Sequence, residues 1–255
     1  MSLSLFDLGG QVALVTGSTS GLGREIARGL AEAGATVIVN GRNAERLEAT
    51  VEWLRGSGRD AHGFGFDVTE EPAIEAAVSR IEAEIGPIGI LVSNAGIQRR
   101  GPLIELPQEV WEDVLKHDLT SVFLVGRTVA RGMIERRRGK IINIASLASE
   151  VSRKTIGPYT AAKGGVRQLT KTMCIEWAEH NIQVNAIGPG YFKTELNASL
   201  VADPAFDQWV RGRTPAGRWG DPSELIGAAI FLASAGSDFM NGQVIYVDGG
   251  VLASM

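Results

Sequence analysis

The chain has 255 residues, 44% of them hydrophobic and 21% charged, with a formal net charge of −4. A chain of this length can bury a large core without disulfides or metals, and its acidic balance excludes the basic footprint of a nucleic-acid binder. One cysteine, Cys174, rules out an internal disulfide and fits a reducing, cytoplasmic setting. The three histidines, His62, His117 and His180, lack metal-ligand spacing, so no metal is expected. The opening MSLSLFDLGG has neither a basic segment nor a long apolar run, so no signal peptide is expected. No apolar stretch approaches the roughly 20 residues that span a bilayer, so no membrane partner is expected either.

Apolar, β-rich runs alternate with helical patterns. QVALVTG reads as a buried strand and GREIARGLAEAG as a helix closed by Gly34. ATVIVN is the second strand, and Asn43 caps the amphipathic helix after it. AHGFGFDV is the third strand; Thr69 reads as the cap of the next helix, with Pro72 near its start. IGILVSNAG is the fourth. One long helix is expected from about Pro107 to Arg136, its basic Arg136-Arg137-Arg138 run meeting the negative end of the helix dipole. GKIINIAS is the fifth strand, GPYTAAKGG opens a helix, and IQVNAIGPG is the sixth strand. DPSELIGAAIFLAS is a helix and GQVIYVDGG the last strand.

Strands apolar on both faces, separated by helices, predict a single α/β domain over residues 1–255, built on a doubly wound, Rossmann-type parallel sheet of about seven strands. Residues 194–221 break the alternation. They follow a strand end, where open α/β sheets bind ligands, and read as a substrate lid inserted in the domain.

The first strand runs into Thr16, Gly17, Ser18, Thr19, Ser20, Gly21, Leu22 and Gly23, then a helix. Glycines there let the backbone turn tightly and approach a pyrophosphate at the helix N-terminus. The second strand ends in Asn40, Gly41 and Arg42, with no acid to hold a ribose 2′-hydroxyl. A guanidinium there suits a 2′-phosphate, so NADP(H) is preferred over NAD(H), which stays possible; the plainer reading of Arg42 is a solvated loop residue.

Tyr159 and Lys163 stand four apart and share a helix face. Reduction of a ketone needs a proton for its oxygen, and a phenol beside an ammonium can supply it. Ser146, after the fifth strand, can hydrogen-bond the same oxygen. Alone it would read as a turn residue.

These motifs together, with FDV at 66–68, SNAG at 93–96 and PG at 189–190, resemble the short-chain dehydrogenase/reductase family over nearly the whole chain. The resemblance implies catalysis by Ser146, Tyr159 and Lys163. It implies that Asp67 and Val68 contact the adenine and that Asn94, Ala95 and Gly96 line the cofactor channel. Pro189, Gly190, Phe192 and Thr194 would hold the nicotinamide end, and Tyr159 and Lys163 would also reach the cofactor. A homotetramer is implied as well. The chain departs from the family where an asparagine relays protons from the lysine: Asp118 stands there and is read as the relay member and a fourth catalytic residue. A carboxylate approaching Lys163 would hold its charge and weaken its pull on Tyr159.

Arg99 and Arg100 follow the fourth strand, and Ser149, Glu150 and Arg153 lie between the serine and the tyrosine. Arginines suit a substrate carboxylate, and Ser and Glu suit hydroxyls. NAGIQRR, GPGYFKTE and RTPAGRWGDP are most similar to family members acting at C5 of six-carbon sugar acids with NADP(H), on gluconate or its 2-keto-3-deoxy analogue. Two other classes compete. A serine hydrolase lacks its G-x-S-x-G elbow here. A non-catalytic NADP-binding sensor would not need the Ser146, Tyr159 and Lys163 set.

Overall fold

The computed structural model describes residues 4–254. The expected domain of residues 1–255, and the start of the N-terminal stretch read for a signal peptide, extend outside the described residues. The strands are β1 (Val12–Val15), β2 (Thr36–Asn40), β3 (Ala61–Phe64), β4 (Ile88–Ser93), β5 (Gly139–Ile144), β6 (Ile182–Pro189) and β7 (Val244–Val247). The helices are α1 (Gly21–Glu32), α2 (Ala44–Gly56), α3 (Glu71–Glu84), α4 (Gln108–Leu115), α5 (Ser121–Arg136), α6 (Gly157–Trp177), α7 (Ala198–Val201), α8 (Pro204–Arg213) and α9 (Ile226–Ala233). All seven strands are parallel, in the order β3-β2-β1-β4-β5-β6-β7.

Strand alternation explains the continuous apolar runs. In β1, Ala13 and Val15 join one core with Ile26 and Leu30 of α1, while Val12 and Leu14 join a second with Ile74 of α3 and Val129 of α5. Val37 and Val39 of β2 face the first core and Ile38 the second. Successive residues point to opposite faces, so a sheet covered on both sides has no polar row. The strand order reverses between β1 and β4, which opens a crevice at their carboxyl ends.

The expected long helix of about 107–136 is interrupted. A π-helical turn, Lys116–Thr120, separates α4 from α5. The wider turn buries Asp118 against the crevice, and the Ser121 hydroxyl donates to the His117 carbonyl at 2.5 Å. The cap expected at Thr69 is also displaced: α3 starts after Glu70, and the Thr69 hydroxyl donates to Asp67 Oδ1 at 2.8 Å.

Residues 194–221 form a 3-10 turn (Glu195–Asn197), α7, α8 and an irregular return segment. Their two ends meet. Phe192 bridges Gly220, the Gly220 amide donates to the Tyr191 carbonyl at 2.8 Å, and the Lys193 amide donates to the Gly220 carbonyl at 3.0 Å. Asp203 caps α8 by accepting from the Ala205 amide at 3.0 Å. The helix is fixed by the Trp219 indole, which donates to Asp207 at 2.7 Å, and by Tyr191, Phe206, Trp209 and Trp219, whose ring centroids lie 5.4–6.4 Å apart in the contacting pairs. No helix among the described residues is long and apolar enough to cross a membrane.

Candidate active site

The glycine-rich turn joins β1 to α1 in the crevice. Ser20 caps α1 without a side-chain bond and the first turn carries no acid, so its amides and positive dipole end are open to an anion. Gly17 has φ of +61°, and a Cβ on it would sit 2.8 Å from the Ala95 Cα. The Asn94 amide donates to the Thr16 and Gly17 carbonyls at 2.9 and 3.0 Å, while Thr16 Oγ1 accepts from the Asn94 and Ala95 amides at 2.9 and 3.1 Å. Thr16 and Asn94 therefore clamp the turn to the end of β4.

A cleft of about 570 Å³ runs from this turn across the strand ends. Gly17, Ser20, Gly21, Leu22 and Gly23 form one wall. Asn40, Arg42, Asp67 and Val68 lie toward one end, with Thr19, Asn43 and Arg46, which the motifs did not single out. Asn94, Ala95 and Gly96 follow, then Asp118, Tyr159, Lys163 and Thr194. Thr16 lies behind the wall. Ser18 is fully buried there too; its hydroxyl donates to the Val15 carbonyl at 2.6 Å and accepts from the Asn40 amide at 3.0 Å.

Asn40 is 1% exposed and its side chain is occupied. It donates to the Phe64 and Phe66 carbonyls at 3.2 and 3.1 Å and accepts from the Gly17 amide at 3.2 Å. Its amide ties β2 to β3 and to the glycine turn rather than facing a ligand. Arg42 is the open group: its side chain is 63% exposed and reaches Asp67 at 3.3 Å. Burial pushes the Asp67 carboxyl up, but the Thr69 amide and hydroxyl and Arg42 outweigh it and hold the group low. An exposed pair of this kind contributes at most about 1 kcal/mol, so Arg42 can leave it for a ligand at small cost.

A second cavity of about 290 Å³ meets the first at Leu22, Ile144, Tyr159 and Thr194. Ser146 lines it. The Ser146 oxygen accepts from the Ala148 amide at 3.1 Å, which leaves its proton free to donate. Lys163 Nζ lies 5.6 Å from the Tyr159 ring centroid and donates to the Ile144 carbonyl at 2.9 Å. The side chains of Lys163 and Asp118 are only 5% and 1% exposed, with Nζ and Oδ2 3.6 Å apart. Asp118 Oδ1 accepts from the Ile97 amide at 2.7 Å, and Oδ2 has no hydrogen-bond partner among the described residues. Burial lifts the Asp118 carboxyl above its ordinary range, against the Lys163 charge and the Ile97 amide. Gly96 is needed beside it, since a Cβ there would stand 2.9 Å from Oδ2.

The expected substrate residues divide. Arg100, Ser146, Arg153 and Tyr159 line the second cavity, as do Pro189, Gly190 and Phe192. Arg99 does not; it points away to Asp113 at 3.6 Å. Ser149 is turned back to the Lys163 carbonyl at 2.8 Å, and Glu150 is held by Arg167 and Tyr246 at 2.8 and 2.7 Å. Tyr191, Trp209 and Arg213 also line the cavity. A sequence signal for this face existed: Phe206, Trp209 and Arg213 are spaced at i, i+3 and i+7 on α8.

Asn40→Asp should lower stability at pH 7 by about 2 kcal/mol, because a carboxylate would face two carbonyls to which it cannot donate. Urea unfolding checks this, and a stability equal to the native chain would contradict it. Asp118→Asn should remove a pH dependence. A raised carboxyl in the folded state adds stability below the unfolded value of about 4 and loses it as pH rises through the folded value, at about 1.4 kcal/mol per pH unit within that window. Urea midpoints at several pH values should therefore fall with rising pH more in the native chain than in Asp118→Asn.

Residues 11–205 match the family described as short chain dehydrogenase. A 5-keto-D-gluconate 5-reductase of Escherichia coli is 54% identical, covering 98% of this chain and 99% of its own. A 2-dehydro-3-deoxy-D-gluconate 5-dehydrogenase of Formosa agariphila is 50% identical, covering 100% of this chain and 97% of its own. A crystal structure of a gluconate 5-dehydrogenase from Burkholderia cenocepacia, in complex with NADP and tartrate, superposes with a TM-score of 0.97 at 52% identity over 100% of both chains. On its crevice, its Ser146, Tyr159 and Lys163 set and these matches, the chain belongs to the short-chain dehydrogenase/reductase family.

Proposed function

We propose that the protein is an NADP(H)-dependent oxidoreductase that interconverts D-gluconate and 5-keto-D-gluconate at C5. The observation that carries this is the second cavity. Ser146 and Tyr159 line it together with the guanidinium groups of Arg100 and Arg153, and no carboxylate lines it among the described residues. Such a lining suits an anionic polyol whose hydroxyl or carbonyl must meet a proton donor. The gluconate enzymes among its relatives support the same substrate class.

The crevice fits a dinucleotide, with free amides at the start of α1 and glycines at close approaches. When bound, the nicotinamide cofactor supplies or accepts the hydride. The amides of residues 20–23 would hold its pyrophosphate. Arg42, in an exposed pair with Asp67, would be the group for its 2′-phosphate. Thr194, at the junction of the two cavities, borders the nicotinamide end.

Tyr159, open to both cavities, gives its phenolic proton to the C5 oxygen in reduction and takes one back in oxidation. The free Ser146 proton donates to the same oxygen and stabilises the charge that develops on it. Lys163 holds positive charge beside the tyrosine ring, anchored by the Ile144 carbonyl. Asp118 balances that buried charge and stands where a proton relay from Lys163 would continue. Residues 194–221 close over the substrate as a lid.

A second reading, reduction at C5 of 2-dehydro-3-deoxy-D-gluconate, is favoured by the 50% identical relative. It uses the same proton chemistry. Loss of NADPH absorbance with both keto acids separates the two readings, and the higher kcat/KM is expected for 5-keto-D-gluconate. Tyr159→Phe should lower kcat at least about 100-fold. Turnover that survives this change, or none on any sugar acid, would refute the proposal. Arg42→Ala should raise KM for NADPH about tenfold and leave that for NADH nearly unchanged, an effect worth about 1.4 kcal/mol.

A further inference from the structure

The lid brings a third guanidinium to the substrate cavity. Arg213 ends α8 and lines the cavity with Arg100 and Arg153. Tyr191, which follows β6, stands among them: burial pushes its phenol up, while Arg153, Arg213 and Arg100 all pull it down. The Arg100 guanidinium is likewise held below its ordinary range, by burial and by the like charge of Arg153. Three guanidinium groups and one phenol thus line the same cavity of about 290 Å³.

They converge without counter-ions. Many other arginines are matched with acids, as in Arg28 with Glu25, Arg127 with Glu71, Arg167 with Glu150 and Arg218 with Glu224, and others bond carbonyls, as Arg55 does that of Ala61 and Arg137 that of Glu179. On α8 itself Arg211 is paired with Asp207 at 2.7 Å, one helical turn along. None of the three cavity arginines has a carboxylate within ion-pair distance among the described residues. Arg100 bonds only the Gln98 amide oxygen, at 2.7 and 3.1 Å, and Arg153 lies over the Phe206 ring at 5.4 Å. Unpaired cations brought together repel, and a fold that holds them so is relieved by an anion placed between them.

Arg213 differs from the other two in where it is carried. Arg100 lies in the loop after β4 and Arg153 in the loop before α6, both outside residues 194–221. Arg213 arrives on the inserted segment, and its place depends on the Trp219–Asp207 bond and on Phe206 and Trp209, which share its face of α8. The charge that completes the cluster is delivered by the lid.

We propose that Arg213, with Tyr191 and Arg153, forms the subsite that takes the substrate carboxylate, and that Arg213 is the residue by which the lid selects anionic over neutral polyols. This deepens the functional reading above and rests on it for the substrate class. In the Arg213→Ala chain, KM for 5-keto-D-gluconate should rise at least tenfold, while turnover of a neutral ketose such as fructose and affinity for NADPH stay within about twofold. Arg213→Lys should recover part of the loss. Equal losses on the acid and the neutral ketose, or an unchanged KM, would overturn the proposal.

A binding measurement separates its failure from that of the proposed reaction. Calorimetric titration of the NADP-saturated full chain with tartrate, a hydroxy-dicarboxylate probe, needs no turnover. Arg213→Ala should weaken tartrate at least tenfold, and unchanged affinity would refute the subsite even if gluconate is a substrate. If native protein binds tartrate through Arg213 but turns over no keto acid, the reaction reading fails and the anion subsite stands. No tartrate binding by the native chain refutes the subsite.

Discussion

A buried ammonium sets the terms for the rest of this crevice. Lys163 sits at the floor of the cleft with almost no exposure, where an unpaired charge would be costly. It is kept there by the Ile144 carbonyl and by the Asp118 carboxylate. That carboxylate needs its own arrangements. The π-helical turn aims it inward, the Ile97 amide satisfies one oxygen, and Gly96 leaves room for the other. The end of β4, the break between α4 and α5, and the start of α6 are thus tied through one charge. Buried pairs of this kind add little net stability; they position.

The two cavities divide the work around Tyr159. On one side, backbone amides and glycine close approaches make a surface for a flat, charged, elongated molecule. On the other, side chains dominate, with guanidinium groups set among aromatic rings. The first surface is built from sheet ends held together by bonds such as Asn94 to Thr16 and Gly17 to Asn40. The second takes much of its lining from the inserted segment. Tyr159 stands where the two meet.

The sheet was legible because both faces of β1, β2 and β4 are buried, so their apolar runs are unbroken in the sequence. Ser146, Tyr159 and Lys163 were legible because helix spacing and family motifs fix them together. Other features depended on contacts that no local pattern carries. Apolar periodicity runs through 107–136 without a break, and nothing in it marks the π-helical turn. Ser18 and Asn40 fall in the stretches read as cofactor-binding, yet their side chains are taken up by protein partners, among them ones more than 20 residues distant. Arg99 and Arg100 are neighbours in an irregular segment and point to different places, one to Asp113 and one to the cavity. Arg213 shares a helix face with two aromatic residues, but which surface that face meets is decided by how α8 docks.

The inserted segment leaves and rejoins the body through one bridge, Phe192 to Gly220, flanked by the bonds of Tyr191 and Lys193. With its ends held side by side, the entropy of closing the loop depends only weakly on the number of residues inside it. The segment can therefore change in length at small entropic cost, subject to the Ala216 amide, which donates to the Gly249 carbonyl at 3.0 Å and ties its interior to the turn after β7. The lining of the second cavity is in this sense divided: Arg213 comes on a loop whose length is only loosely constrained, while Arg100, Arg153 and the buried charge beside Tyr159 lie outside it.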